Sequence, residues 1–152
     1  KNLNSLKTQF KKSNNNYDNL IFETYIPGKE IQVAVVGGKS IGAIELRPKR
    51  KFYDYKAKYK KSAKTQHIMP AEISKKKYKE ALRISKKANK ILKCKGIVRC
   101  DFRFYKNKFF LLEVNTQPGM TSLSLVPEIA KHSKISFVQL VKWMANDASI
   151  NR

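Results

Sequence analysis

The sequence predicts an α+β fold, a mostly antiparallel sheet covered by helices, in a single domain of 152 residues. Two kinds of pattern carry that prediction. Stretches of β-rich sequence come in pairs joined by tight-turn residues: Ile31 to Val36 with Ile41 to Leu46 around Gly37-Gly38, and Arg99 to Phe104 with Phe110 to Asn115 around Lys106-Asn107. Two stretches of helical spacing begin behind serine caps. Ser74 precedes Tyr78, Ala81, Leu82, Ser85, Ala88 and Leu92, and Ser136 precedes Phe137, Leu140, Val141, Met144 and Ala148.

The remaining elements fall between these. Lys1 to Lys12 spaces Leu3, Leu6 and Phe10 on one helical face, and Ser13-Asn14-Asn15-Asn16 ends it. Leu20 to Ile26 reads as a strand, and so does the short stretch His67 to Met69, which Pro70 stops. Phe52 to Gln66 is aromatic and basic without clean periodicity, as expected of a functional loop. A short helix is expected over Leu125 to Lys131. No internal repeat or linker divides the chain.

Composition narrows the function. Hydrophobic residues at 41% are ordinary for a globular protein and exclude wholesale disorder. No apolar run is long enough to cross a bilayer, and the first residues do not read as a signal peptide. With only Cys94 and Cys100, no CxxC and only His67 and His132, the chain points away from a zinc site and toward a reduced, cytoplasmic setting. The net charge of +22 suits polyanions, and a lysine-rich nucleic-acid-binding protein is the rival reading. However, the excess is almost all lysine, spread along the chain, and no nucleic-acid motif accompanies it. The lysines read chiefly as solvated surface.

The chemistry lies in the second hairpin. Phe102, Phe104, Phe110, Leu112 and Val114 form its core face by alternation, with Cys100 beside them. Arg99, Asp101, Glu113 and Asn115 fall on the other face. Opposed residues share a face, so a loop of Lys106-Asn107 alone would set Asp101 against Leu112. A three-residue connection or a bulge is therefore expected, pairing Phe102 and Phe104 with Leu112 and Phe110 and bringing Asp101 beside Glu113. Two carboxylates and an amide oxygen on one face are hard ligands suited to magnesium, with substrate phosphates completing the shell. That points to a nucleotide-dependent enzyme.

Three stretches then carry a resemblance: Glu113-Val114-Asn115-Thr116-Gln117-Pro118-Gly119-Met120-Thr121, Phe52 to Tyr59, and Ser122 to Pro127. Together they resemble the D-alanine–D-alanine ligases of the ATP-grasp superfamily, over roughly Ile21 to Trp143. The resemblance implies an ATP-grasp carboxy-terminal domain and ATP-dependent joining of two D-alanines for bacterial peptidoglycan. Another ATP-grasp carboxylate–amine ligase is the alternative within enzymes. By resemblance, Glu23 accepts the adenine amino hydrogen, the backbone of Tyr25 and Ile26 reads the ring edge, and Glu30 bonds the ribose hydroxyls. Asp101, Glu113 and Asn115 hold two magnesium ions, or manganese, with Glu113 bridging.

The resemblance also implies that Arg99 and the Gly119 N–H stabilise the oxyanion of amide formation. Lys58 and Ser124 grip the carboxylate of the second D-alanine, Lys58 also reaching the transferred phosphate. Tyr59, with Tyr53, belongs to the closing loop, and Leu125 shapes the second-site pocket. Residues 1–152 then correspond to the carboxy-terminal part of such an enzyme, without the amino-terminal substrate domain or the phosphate-covering loop. The chain alone is expected to be inactive, and the full-length enzyme allows a homodimer. Arg103 departs from the pattern: a cation two residues beyond Asp101 turns either toward phosphate or to solvent.

Overall fold

The structure is a computed structural model that describes residues 3–14, 19–48, 65–121 and 123–149. Strands β1 (Lys29–Val36), β2 (Lys39–Arg47), β3 (Gln66–Ile68), β4 (Ile97–Tyr105) and β5 (Lys108–Asn115) form one sheet in the order β3-β2-β1-β4-β5, every pairing antiparallel. Helices α1 (Leu3–Asn14), α2 (Lys75–Ile91), α3 (Leu125–His132) and α4 (Phe137–Asp147) complete the described chain. Turn chemistry sets both hairpins. Gly37 and Gly38 have φ of 54° and 74°, and Lys106 and Asn107 have φ of 45° and 63°. Positive φ at both central positions gives the turn whose twist matches the flanking strands.

The central strand β1 explains the layers. Ile31, Val33 and Val35 point to one face, where they meet Ala81, Leu82 and Tyr78 of α2 together with Val98, Cys100 and Phe102 of β4. Ala34 points to the other, with Ile44 and Leu46 of β2, and packs under Val126, Ile129 and Leu140 of α3 and α4. Gly42 permits that approach: a Cβ there would stand 2.9 Å from Ile129 Cγ2. Caps start the helices as the sequence suggests. Ser74 Oγ accepts from Lys77 N at 3.3 Å, and Ser136 and Gln139 bond reciprocally at 3.2 and 2.8 Å.

Several expectations are corrected. Residues 19–27 form no strand, because both edges of β1 are already paired with β2 and β4. The segment runs irregularly instead, and Phe22 meets Phe10 of α1 with ring centroids 5.8 Å apart. α1 extends to Asn14 rather than stopping at Ser13. In α2 the inward stripe is Ala81, Ser85 and Asn89, whereas Leu92 caps the helix and is exposed. In α4, Leu140 is buried and Trp143 packs beside it, whereas Phe137, Val141 and Met144 are exposed. The expected loop falls mostly in residues 49–64, outside the described residues.

Cys100 is buried against α2, and that burial pushes its thiol up to about 11. Below that value it is neutral, so at pH 8 about one molecule in a thousand carries the thiolate. Iodoacetamide at pH 8 should therefore alkylate Cys94 and spare Cys100 until the chain is unfolded, as read by peptide mass mapping. Equal labelling of both cysteines in the native protein would contradict the packing described here.

Candidate active site

The second hairpin resolves its register with a bulge. Its turn is the two residues Lys106-Asn107, and Tyr105, Phe104, Arg103 and Phe102 pair with Lys108, Phe109, Phe110 and Leu111. The register then shifts, so that Leu112 is the extra residue and Asp101, Cys100 and Arg99 pair with Glu113, Val114 and Asn115. The expected bulge and the Asp101–Glu113 apposition are both present. The expected pairs Phe102–Leu112 and Phe104–Phe110 are not. Phe109 is the core residue, its ring 4.6 Å from Phe104 and 5.8 Å from Phe102, while Phe110 and Leu112 are exposed.

The bulge matters because of what it aligns. Gln32 pairs with Asp101 and Glu30 with Arg103 across β1 and β4, so Glu30, Gln32, Asp101, Arg103 and Glu113 share one face of the sheet. α3 and α4 cover only the other end of that face, through Ala34 and Ile44. The uncovered end is a cleft of about 730 Å³, roofed at one side by Glu23, Thr24, Tyr25 and Ile26 and floored by Glu30, Asp101, Arg103, Leu111, Leu112 and Glu113. Its size is that of a small-molecule or cofactor site. Gly28 lets the roof descend: at φ 101° it abuts the Phe104 carbonyl, where a Cβ would collide.

Within the cleft, charges are already paired. Arg99 Nε donates to Asp101 Oδ1 at 2.7 Å and its second nitrogen to Oδ2 at 2.8 Å, a bidentate fork with both side chains nearly buried. Arg103 Nε donates to the Ile26 carbonyl at 2.9 Å, and its guanidinium reaches Glu30 Oε2 at 3.4 Å. Gln32 Nε2 donates to the other Glu30 oxygen, Oε1, at 3.3 Å. Arg103 therefore turns not to solvent but toward Glu30 and the Ile26 carbonyl. Gln32 was not foreseen; the polar pair Glu30 and Gln32, two apart in an otherwise apolar strand, was its signal.

None of the other predicted residues that the structure describes lines the cleft. Asn115 Oδ1 accepts from Gln117 N at 2.9 Å, which sets the turn into Pro118-Gly119. Gly119 is exposed, and a Cβ there would meet Ser124 Oγ at 2.9 Å. Ser124 Oγ accepts from Thr121 N at 3.0 Å and shares a hydrogen bond with Thr121 Oγ1 at 2.9 Å, tying this loop to the start of α3. Leu125 is buried in the core with Ile129 rather than facing an open site. Lys58, Tyr59 and Tyr53 lie outside the described residues. The lysines of α2 at 75, 76, 79, 86, 87 and 90 are exposed, a solvated surface.

The donor set suits a divalent cation held against phosphate. Among the described residues no group of three or more acidic, His or Cys side chains could hold a metal by itself. One or two carboxylates plus substrate phosphates is, however, how magnesium is ordinarily bound at nucleotides. Asp101 keeps a further lone pair on each oxygen beyond those taken by Arg99. Asp101, Glu113 and the Asn115 amide oxygen thus fit a phosphate-bridged ion and not a closed all-protein cage.

A five-stranded antiparallel sheet with helices on both faces is the architecture of an ATP-grasp carboxy-terminal domain. It superposes on D-alanine–D-alanine ligase from Bacillus anthracis with a TM-score of 0.80 at 28% identity, covering 96% of this chain and 47% of that one. The family model for the D-ala D-ala ligase C-terminus matches residues 1–146, and the chain belongs to that family. It is 58% identical over 136 residues to D-alanine–D-alanine ligase of Pelagibacter ubique, and 46% identical over 140 residues to that of Xanthobacter autotrophicus. The matches take in 90% and 89% of this chain, and 45% of each relative, so the chain spans about half the length of the relatives.

Proposed function

We propose that the chain is the nucleotide- and metal-binding part of a D-alanine–D-alanine ligase, an ADP-forming enzyme that makes the dipeptide for peptidoglycan in the bacterial cytoplasm. The observation that carries this reading is the cleft. Glu23, Tyr25, Ile26, Glu30, Asp101 and Glu113 line it together, and the reading gives the first three to adenine, Glu30 to ribose, and the last two to the phosphates' counter-ions. No described helix is long and apolar enough to cross a membrane, which is compatible with that location.

In this reading Glu23 and the backbone of Tyr25 and Ile26 fix the adenine edge, and Glu30 accepts both ribose hydroxyl hydrogens. Asp101, Glu113 and Asn115 would hold two magnesium or manganese ions; such ions neutralise the phosphate oxygens and make the γ-phosphoryl group transferable. The carboxylate of the first D-alanine attacks that phosphorus, ADP leaves, and an acylphosphate results. The amine of the second D-alanine then attacks the acyl carbon. The reading gives Arg99, which Asp101 holds, and the Gly119 N–H to the oxygen on which charge builds, and inorganic phosphate departs as the carbonyl re-forms. Ser124 and Lys58 take the incoming substrate's carboxylate, and Tyr59 closes over it.

The relatives carry about half their length beyond the matched stretch. We assign to that half the first D-alanine site and the phosphate-covering loop, and therefore expect the 152 residues alone to be inactive. A homodimer of the full-length protein is compatible with this assignment. The test uses the full-length ligase that carries this chain, with ATP, magnesium and D-alanine. ADP release that depends on D-alanine, with the dipeptide identified by mass spectrometry, is expected. Release that depends on another amino acid, or that yields no dipeptide, would overturn the assignment.

A further inference from the structure

We propose that Arg103, with Gln32, is a positioning residue that aims the Glu30 carboxylate at the ribose hydroxyls of the nucleotide. The inference rests on the reading of Glu30 given above and adds what holds it. A glutamate at a cleft wall has several torsions to lose before it can accept two hydroxyl hydrogens at once. Here each of its oxygens is already tethered, Oε2 by the Arg103 guanidinium at 3.4 Å and Oε1 by Gln32 Nε2 at 3.3 Å. A carboxylate oxygen can accept more than one hydrogen bond.

The fork does a second thing. Arg103 Nε donates to the Ile26 carbonyl at 2.9 Å, so one planar guanidinium fixes the adenine-side segment and the ribose-side carboxylate to the same strand. A lysine, being a point charge on a flexible stem, cannot span both acceptors in fixed geometry. Gln32 supports the same reading by its cost. Its side chain is buried and its Oε1 has no hydrogen-bond partner, which an apolar residue in this strand would avoid. The amide is accounted for by the bond that its other end makes to Glu30.

Binding of ADP and of 2′,3′-dideoxy-ADP, each with magnesium, to the full-length ligase by calorimetry separates this role from packing. A hydrogen bond to a charged group of ordinary strength gives the native protein about a tenfold preference for ADP. In Arg103→Leu and Arg103→Lys that preference should fall to within about threefold, because only the hydroxyl-bearing nucleotide reads Glu30. In Gln32→Met, which removes the orphaned amide oxygen and so keeps the fold, the preference should also shrink. Loss of affinity that is equal for both nucleotides, with the preference intact in all three variants, would overturn the proposal. No preference in the native protein would instead remove Glu30 from the ribose, and the proposal with it.

Discussion

Glu113→Gln should reduce turnover of the full-length ligase about 10²- to 10³-fold while leaving its thermal unfolding nearly unchanged. The two halves of that expectation have separate grounds. Glu113 stands exposed on β5, the sheet's edge strand, opposite Asp101, and makes no ion pair among the described residues. Glutamine preserves its shape and its contacts, so the fold loses little. What it removes is a charge facing the one cleft wall where phosphate oxygens would need a counter-ion. Steady-state ADP release together with calorimetric unfolding reads both quantities, and near-native turnover would take Glu113 out of that role.

Asp101 should behave differently, because it also holds Arg99. Asp101→Ala leaves the Arg99 guanidinium nearly buried and without the carboxylate that holds two of its three nitrogens. Breaking such a pair from one side costs about 3 kcal/mol, and the full-length ligase should unfold several degrees earlier. Turnover should be lost as well. Replacing both partners, Arg99→Met with Asp101→Leu, should recover most of the unfolding temperature, since apolar groups of similar volume remove the stranded charge. It should recover none of the turnover. If the double variant unfolds as early as Asp101→Ala, the pair is not the stabilising contact that the geometry describes.

The contrast between these carboxylates was partly legible in the sequence. Alternation along residues 99 to 104 and 110 to 115 put the acids on one face, and the parity of the turn required an irregularity to bring them together. Alternation does not say which residue is extra. A bulge at Leu112 or a longer loop satisfies the same parity, and the two differ in whether Phe109 or Phe110 enters the core. Packing against Phe102 and Phe104 decided that. Helix caps and glycine turns were legible because their physics is local: Ser74, Ser136 and Gly37-Gly38 act on groups within a few residues.

Leu20 to Ile26 shows the opposite case. Its composition is strand-like, but a strand also needs a free edge, and β1 has none to offer because β4 returns to its side from 60 residues later in the chain. The partners of Arg103 were not legible for the same reason. Ile26 and Glu30 lie 77 and 73 residues away, and only the folded sheet makes them neighbours. Glu23, Tyr25, Ile26 and Glu30 were legible as candidates only through resemblance, and the cleft that unites them is seen only in the folded chain.

A manganese titration followed by electron paramagnetic resonance, with ADP present, tests the acidic pair most directly. In the full-length ligase the free-ion signal should fall well below that of ADP alone, and Glu113→Gln and Asp101→Asn should each restore much of it. Titration curves for both variants that overlay the native one would show that the two facing carboxylates hold no ion, and the account of this cleft would fail with them.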